Sequence, residues 1–233
     1  ELSIKLKDKL NLHCHARSEI AATYFKENNI NYISGELKAK EIINEISASD
    51  IIFDLAAPNS GTLSQTKQFY KDRLELVIKN MKKNSKFIFA SSINAFGLSE
   101  HRRLFKNYII PSSVYCANKR FAEKLSEKLG KQNIVDIYIL RLSEVHGKYQ
   151  RASENLKKLI SQKYIFEVPD TPAWIISISN IEEALMGIIE NKEKPGLYTL
   201  TNDHIYWKDL LKFFATEIKC DVKIKIKKNI KLT

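Results

Sequence analysis

Three side chains near the middle of the sequence could together transfer a proton at an alcohol or ketone. Ser92 follows an apolar run that begins at Phe87, and Tyr115 and Lys119 stand four residues apart at the head of a helical pattern. Residues with this spacing share one face of a helix, one turn from each other. A lysine ammonium beside a phenol stabilises the phenolate and can lower its pKa from about 10 toward the range of a general base. A serine at a strand end could hydrogen-bond the same substrate oxygen.

The spacing of these residues resembles that of the extended short-chain dehydrogenase/reductase family, which includes the nucleotide-sugar epimerases. In that family a strand ends in a serine pair, an aromatic residue and a glycine follow, and a Tyr-x-x-x-Lys helix comes a few tens of residues later. The matching residues here are Ser91, Ser92, Phe96, Gly97, Tyr115 and Lys119. The family's hydroxyl partner lies five residues before the glycine, which selects Ser92 over Ser91. An amphipathic helix with a surface lysine would explain Tyr115 and Lys119 alone, but the serine element upstream favours the catalytic interpretation.

The resemblance implies an enzyme that uses NAD or NADP to epimerise a sugar or to reduce a carbonyl group. Tyr115, as phenolate, would take the hydroxyl proton of a small sugar-like substrate while hydride leaves the same carbon for the nicotinamide. Lys119 would lower the pKa of Tyr115 and bind the nicotinamide ribose, and Ser92 would orient the substrate oxygen. The alternative is a non-catalytic NAD(P)-binding protein, such as a redox sensor or a basic scaffold.

Substrate contacts follow from the same resemblance. The positions that face the sugar in family members are occupied here by Ser92, Asn94, Glu144 and His146. Dehydratases of the family carry an Asp-Glu pair directly after the serine, where this chain has Ile93 and Asn94. The sequence therefore favours epimerisation or reduction over dehydration. An arginine that supports the nucleotide diphosphate in relatives is replaced by Thr171-Pro172-Ala173, so a nucleotide sugar and another sugar-like polyol both stay open.

Cofactor contacts are assigned by resemblance as well. Arg17 and Ser18 stand where relatives select their cofactor, because a carboxylate there binds the adenosine ribose of NAD and an arginine can bind the extra phosphate of NADP. Arg17 therefore favours NADP slightly. The other positions implied to contact the cofactor are Glu36 and Leu37 beside the adenine, Ala56 and Ala57 along its backbone, and Ser91, Tyr115, Lys119 and Leu142.

Apolar strands that alternate with helical patterns predict an α/β fold, a doubly wound parallel sheet of the Rossmann-like type. We predict a dinucleotide-binding domain over residues 1–147, and mainly a smaller substrate-binding region, interleaved with the sheet, over residues 148–233. No glycine-rich turn of the kind that binds a pyrophosphate occurs among the 7 glycines. The sequence opens inside a helical pattern, so we expect the first strand and its glycine-rich loop to be missing from this chain. A Rossmann-like domain without a cofactor loop is the alternative.

Composition narrows the class of protein further. The net charge of +11 favours anionic partners such as a dinucleotide, but lysines are spread over most helical patterns and alternate with apolar residues at 223–227. This distribution predicts solvated faces and argues against a nucleic-acid surface. No apolar run approaches the ~20 residues of a membrane span. The 3 scattered cysteines fit a reducing, cytoplasmic location.

A short run of potential metal ligands, His13-Cys14-His15, lies in a predicted strand. On a strand the two histidines share one face and the cysteine points to the other. Because no second cluster supplies further ligands, we predict no metal site. The family resemblance adds a homodimer as one option, since relatives often dimerise through two helices that include the one carrying Tyr115.

Overall fold

The computed structural model describes residues 1–58, 61–96, 113–202 and 204–227. The helices of these residues are α1 (Leu2–Leu6), α2 (Glu19–Glu27), α3 (Lys40–Ala48), α4 (Leu63–Asn80), α5 (Val114–Asn133), α6 (Arg151–Gln162), α7 (Ile178–Ile189) and α8 (Trp207–Glu217). The strands are β1 (His13–Ala16), β2 (Asn31–Ser34), β3 (Ile51–Asp54), β4 (Lys86–Ser92), β5 (Asp136–Leu142), β6 (Glu144–His146), β7 (Ile165–Pro169), β8 (Ile175–Ser177), β9 (Gly196–Leu200) and β10 (Lys223–Lys227). A single 3-10 turn, Ile93–Phe96, follows β4 directly.

Parallel strands form the centre of the fold. A four-stranded sheet has the order β3-β4-β5-β9, and β4 runs parallel to both β3 and β5. A further parallel pair joins β1 to β2. Strands β4 and β5 are buried along almost their whole length and have apolar centres, as is typical of a parallel sheet with both faces covered. The predicted α/β, Rossmann-like class is confirmed.

The described residues divide into two compact units. The larger consists of Ser3–Leu142 and Leu185–Thr199. The smaller takes in Glu1–Leu2, Ser143–Ala184 and the described residues that follow Thr199. The functional division into residues 1–147 and 148–233 stays a prediction.

Helix α4 belongs to the larger unit and covers the central sheet. It begins with a capping box, in which the Thr62 hydroxyl accepts the Gln65 amide at 3.3 Å and the Gln65 side chain accepts the Thr62 amide at 2.9 Å. Its buried residues recur at helical spacing and include Tyr70, Leu74 and Ile78. They form one core with apolar residues of β4 and β5, so truncating Leu74 to alanine should destabilise this unit by about 2–5 kcal/mol.

Helix α5 lies against the same sheet and approaches β5 very closely at one end. Ser113 caps its start by accepting the Cys116 amide at 3.2 Å. Near its other end, a Cβ atom added to Gly130 would lie 2.2 Å from the side chain of Ile137 and 2.9 Å from the Val135 carbonyl. Only glycine permits this approach of the helix to the strand.

The smaller unit is built from two more parallel pairs, β6 with β8 and β7 with β10. Its core includes Ile160 of α6, Phe166 of β7, and Leu211 and Phe214 of α8. The Lys223, Lys225 and Lys227 side chains alternate along β10, as the sequence predicts for a partly solvated strand. The three-residue strand β6 was not predicted, because its length is too short to show an alternating pattern.

Candidate active site

The carboxyl end of β4 and one face of α5 bring the three predicted catalytic side chains together. Ser92 is the last residue of β4, and Tyr115 and Lys119 occupy the first two turns of α5. The Ser92 hydroxyl lies near enough to the Tyr115 phenol to lower its pKa. Tyr115 is 46% exposed, so its ring can be reached by a ligand.

The pKa of Tyr115 is raised above its usual value, whereas the sequence analysis expects a lowered one. Burial raises this pKa, the nearby Ser92 hydroxyl lowers it by less, and the Cys116 thiol raises it further. The Lys119 ammonium lies 6.0 Å from the centre of the Tyr115 ring and donates to the Ala90 carbonyl at 2.7 Å. In this arrangement desolvation of the phenol therefore outweighs stabilisation of the phenolate.

The side chain of Lys119 is buried, and its ammonium lies close to aromatic rings. Its side chain is 4% exposed, and its ammonium stands 4.9 Å from the centre of the Phe89 ring and 5.5 Å from that of Tyr70. Burial lowers the pKa of Lys119 to about 8, while the carboxylates of Asp54 and Glu123 act in the opposite direction. Lys119 thus changes charge close to neutral pH.

Glu123 stands one further turn along α5 and anchors this helix to the sheet. It is 1% exposed and accepts hydrogen bonds from Ser91 at 2.6 Å and from Arg120 at 3.0 Å. Arg141 of β5 binds both of its oxygens, at 2.9 and 2.7 Å. Burial raises the pKa of Glu123, but these donors lower it by more, so the net shift is downward. The Arg141 guanidinium also lies 4.4 Å above the ring of Phe96, in the turn after Ser92.

Asp54 provides a second buried carboxylate in this unit, at the carboxyl end of β3. The guanidinium of Arg73 donates to it through Nε at 2.9 and 3.0 Å and approaches it through a terminal nitrogen at 2.9 Å. The Ala56 amide donates to the same carboxylate at 3.0 Å. The Asp54 carboxylate also acts on the phenol of Tyr70. Burial raises the pKa of this phenol most, and Tyr115 and Asp54 raise it further.

The sequence analysis missed four of these residues: Asp54, Arg73, Glu123 and Arg141. For Glu123 a signal was available, because it continues the four-residue spacing of Tyr115 and Lys119 along one helix face. An acid that ends an apolar strand could likewise have pointed to Asp54. Nothing in the sequence indicates which arginine each carboxylate binds.

The predicted cofactor residues follow the carboxyl ends of parallel strands. Arg17 and Ser18 come directly after β1, Glu36 and Leu37 soon after β2, and Ala56 and Ala57 after β3. Ligands of open parallel sheets bind at this edge. Arg17 and Glu36 are exposed, whereas the Ser18 hydroxyl caps α2 by accepting the Ala21 amide at 3.3 Å.

The remaining predicted contacts differ in how free their side chains are. The hydroxyl of Ser91 is engaged by Glu123, and Leu142 is buried opposite Ser92 in the sheet register. Asn94 lies in the turn after β4, where its backbone N–H donates to the Ser92 hydroxyl at 3.3 Å. Gly97, the family's glycine in this turn, falls outside the described residues.

Glu144 and His146 belong to the smaller unit. His146 is buried, with Nδ1 3.0 Å from the Ser153 hydroxyl and Nε2 3.4 Å from the Glu144 carboxylate. Ser153 also accepts the Gly147 amide at 3.1 Å. His146 therefore orders the start of α6, and its predicted contact with substrate stays a prediction.

The histidines of β1 have protein partners. His13 pairs with Glu45 at 2.7 Å, and Nε2 of His15 lies 2.8 Å from the Gly35 carbonyl. Among the residues that the structure describes, no group of three or more His, Cys, Asp or Glu side chains could hold a metal ion. In the same part of the chain, no helix has the length and apolar character to cross a membrane.

The parallel sheet and the polar cluster at its carboxyl edge define a nucleotide-binding α/β fold of the Rossmann type. The model of the NAD dependent epimerase/dehydratase family matches residues 5–165. The chain belongs to this family. This confirms the resemblance to extended short-chain dehydrogenases/reductases and the prediction of a nicotinamide-dependent enzyme. No curated protein sequence matches the chain.

Solved structures share this fold at low sequence identity. A UDP-N-acetylglucosamine 4-epimerase from Bacillus cereus superposes with a TM-score of 0.73 at 11% identity, over 97% of this chain and 80% of the other. The enzyme of the same name from Methanobrevibacter ruminantium, in complex with UDP-N-acetylmuramic acid, gives 0.70 at 19% identity, over 97% and 81%. RMD from Pseudomonas aeruginosa, complexed with NADPH, gives 0.62 at 12% identity, over 92% and 87%.

Proposed function

We propose that this chain is a nicotinamide-dependent epimerase that acts on a nucleotide sugar through Ser92, Tyr115 and Lys119. The observation that carries the proposal is a half-exposed Tyr115 near the Ser92 hydroxyl, one turn from a buried lysine. A phenol that is reachable from solvent and lies beside a serine hydroxyl suits proton exchange with a substrate hydroxyl. Family membership and the UDP-sugar enzymes among the structural neighbours support the substrate class.

The proton moves between the substrate hydroxyl and the phenolic oxygen of Tyr115. Because burial raises the pKa of Tyr115, the phenolate needs a nearby positive charge, which Lys119 supplies in its protonated form. The pKa of Lys119, about 8, keeps most of this charge at neutral pH. Ser92 donates to the oxygen that gains negative charge and so holds the substrate in line with Tyr115.

The residues at the sheet edge fit a dinucleotide. Ala56 and Ala57 are small and incompletely buried, Glu36 offers an exposed carboxylate for hydroxyl groups, and Arg17 offers an exposed cation for a phosphate. A nicotinamide held by these residues would supply a reversible hydride acceptor for the substrate carbon. We extend the proposal to a slight preference for NADP on account of Arg17.

Reduction of a carbonyl group is the second candidate for the same residues. It requires the same proton donor and differs in that the hydride is not returned to the substrate. The residues after Ser92, Ile93 and Asn94, place no carboxyl group beside it, which disfavours dehydration. A homodimer and a cytoplasmic location complete the proposal; light scattering tests the first, and the reduced state of Cys14, Cys116 and Cys220 fits the second.

The decisive experiment combines cofactor binding with turnover. The full-length protein is titrated with NADH and NADPH by nicotinamide fluorescence, and UDP-sugars are then assayed for epimerisation by NMR. Tyr115→Phe should retain cofactor binding and lose about 100-fold or more of turnover. The control is Tyr164→Phe, at a 61% exposed tyrosine of the smaller unit, which should behave as wild type. Full activity of Tyr115→Phe would refute the assignment, and a folded protein that binds neither nucleotide would favour the non-catalytic alternative.

The role of Arg17 is tested separately. Arg17→Ala should weaken NADPH binding by about tenfold or more, since a charge-assisted hydrogen bond to phosphate is lost, and should change NADH binding little. Arg151→Ala removes an exposed arginine of the smaller unit and serves as the control. Equal losses for both nucleotides would remove the argument for NADP.

A further inference from the structure

Asp54 is a buried carboxylate with more than a packing role. Its residue is 2% exposed, and both carboxylate oxygens accept from Arg73, at 2.9 and 3.0 Å. One oxygen also accepts the Ala56 amide at 3.0 Å, which turns the chain directly after β3. Asp54 therefore fixes the first residues of the segment to which we assign the cofactor backbone, Ala56 and Ala57.

The same carboxylate lies close to Lys119. Asp54 pairs in register with Phe89 on the neighbouring strand, and the Lys119 ammonium stands 4.9 Å from the centre of the Phe89 ring. Tyr70 is shared between them, since its ring lies 5.5 Å from the ammonium and its phenol responds to Asp54. Of the two carboxylates that raise the pKa of Lys119, Asp54 has the larger effect.

The arginines bound to the two carboxylates explain why Asp54 has a larger effect than Glu123 on the pKa of Lys119. The charged and titratable groups around Lys119 and its two carboxylates are Asp54 of β3, Tyr70 and Arg73 of α4, Arg141 of β5, and Tyr115, Arg120 and Glu123 of its own helix. Glu123 binds two arginines, whereas Asp54 binds one. The Asp54 charge is therefore less completely cancelled at the ammonium.

We propose that Asp54 is a positioning residue that holds Lys119 in its charged form and fixes the Ala56–Ala57 segment, so that one carboxylate serves both the proton-transfer site and the cofactor-binding edge. The effect on Lys119 is argued from the place of both side chains beside Phe89 and Tyr70 and does not depend on the reaction. Its importance for turnover rests on the proposed function. A carboxylate that only joined α4 to β3 would contribute to stability without changing the proton affinity of Lys119.

Direct titration of Lys119 tests this inference. Lysines labelled with ¹³C at Cε are followed by NMR from pH 6 to 11, and the Lys119 signal is identified by its absence in Lys119→Arg. Asp54→Asn should move the midpoint toward acid by about one pH unit, because an attractive charge is removed. Asp72→Asn removes a carboxylate of α4 that binds Gln68 at 2.7 Å on the surface, and should leave the midpoint unchanged.

Arg73→Gln should shift the Lys119 midpoint in the opposite direction. It also provides a second test in case Asp54→Asn does not fold. It removes the cation that neutralises Asp54, so the Lys119 midpoint should move toward alkaline pH. A midpoint that stays within about 0.2 pH units of wild type in every folded variant of this pair would overturn the inference. A shift of both variants in the same direction would overturn it as well, because general loosening would then be the cause.

The pH dependence of turnover separates this inference from the proposed function. If both hold, the alkaline limb of the rate profile moves with the Lys119 midpoint in Asp54→Asn, and NADH or NADPH binding weakens several-fold. If the midpoints move as expected but wild type shows no turnover, the proposed function fails and the charge coupling stands. If wild type turns over and the midpoints do not move, the reverse holds.

Discussion

Two buried carboxylates act on Lys119, and they are held in different ways. Glu123 is carried by the same helix and receives donors from Ser91, Arg120 and Arg141, two of them guanidinium groups. Asp54 comes from the strand end two positions before Ala56 and is held by one arginine and one backbone amide. The first binds two arginines, of which Arg141 is buried, while the second binds one.

This difference separates two tasks. A fully satisfied ion pair such as Glu123 with Arg141 fixes the position of α5 against β4 and β5, and it has little charge left to exert on its neighbours. An incompletely neutralised carboxylate such as Asp54 contributes less to holding elements together and more to the electrostatic potential at Lys119. Architecture and charge tuning are thus assigned to different acids of one site.

Glu123→Gln should have the largest effect on stability. It removes the charge that two buried or half-buried arginines share, and breaking a buried pair from one side costs about 3–5 kcal/mol. Urea unfolding followed by circular dichroism measures this loss. Glu127→Gln, one turn further along α5 at an exposed position, is the control and should change the free energy of unfolding by less than about 0.5 kcal/mol. Similar values for the two variants would show that the cluster does not anchor the helix.

Lys119→Met should remove a pH dependence of stability. The pKa of Lys119 falls from 10.5 in the unfolded chain to about 8 in the folded one, so the unfolded state binds more protons between these values. Wild-type stability should therefore rise by up to about 3 kcal/mol from pH 8 toward pH 10.5, and this rise should be absent in the variant.

The same variant should lose turnover while its stability at pH 7 does not fall. Below pH 8 the folded wild type carries the full cost of a buried ammonium, which methionine does not have. Lys82→Met, at a half-exposed lysine, is the control for lysine removal. A wild-type stability that stays flat over this pH range would mean that Lys119 is better solvated than its burial indicates.

Substitution of the adjacent serines should have the smallest effects on stability. The two variants compare a serine that binds the structural carboxylate Glu123 with one that is proposed to bind substrate. Ser91→Ala removes a hydrogen bond to a buried carboxylate and should lower the free energy of unfolding by about 1.5–3 kcal/mol. Ser92→Ala should lower it by less than about 1 kcal/mol, since its partners lie nearer the surface. Thermal unfolding of the two variants side by side measures the difference, and a larger loss for Ser92→Ala would contradict the assignment of the two serines.

Regular elements were accessible from the sequence, because they depend on local spacing. The apolar run after Ile51 and the buried run that starts at Phe87 predict β3 and β4 to within a few residues, and the four-residue step from Tyr115 to Lys119 predicts a shared helix face. These patterns span one strand or one helical turn, whereas the choice of Ser92 as their partner required the family resemblance.

Charges and pairings were not accessible, because they depend on contacts between distant residues. Asp54 meets a partner 19 positions away and Glu123 one 18 positions away, and no pattern marks either. The raised pKa of Tyr115 likewise results from partial burial of the phenol, which depends on the folded chain. The Lys119 ammonium donates to the Ala90 carbonyl, and the position of this carbonyl depends on the folded sheet.

Gly130 links the far end of α5 to this site. The helix behaves as a stiff rod of about 1.5 Å per residue, and Gly130 lies fifteen residues beyond Tyr115. A methyl group added at Gly130 would have to displace the Ile137 side chain or move that end of α5 away from β5. Tyr115, Lys119 and Glu123 belong to the same helix. Moving its Gly130 end would therefore tilt the end that carries these three residues. The smallest residue of the helix thus sets the angle at which Tyr115 stands at the carboxyl edge of the sheet.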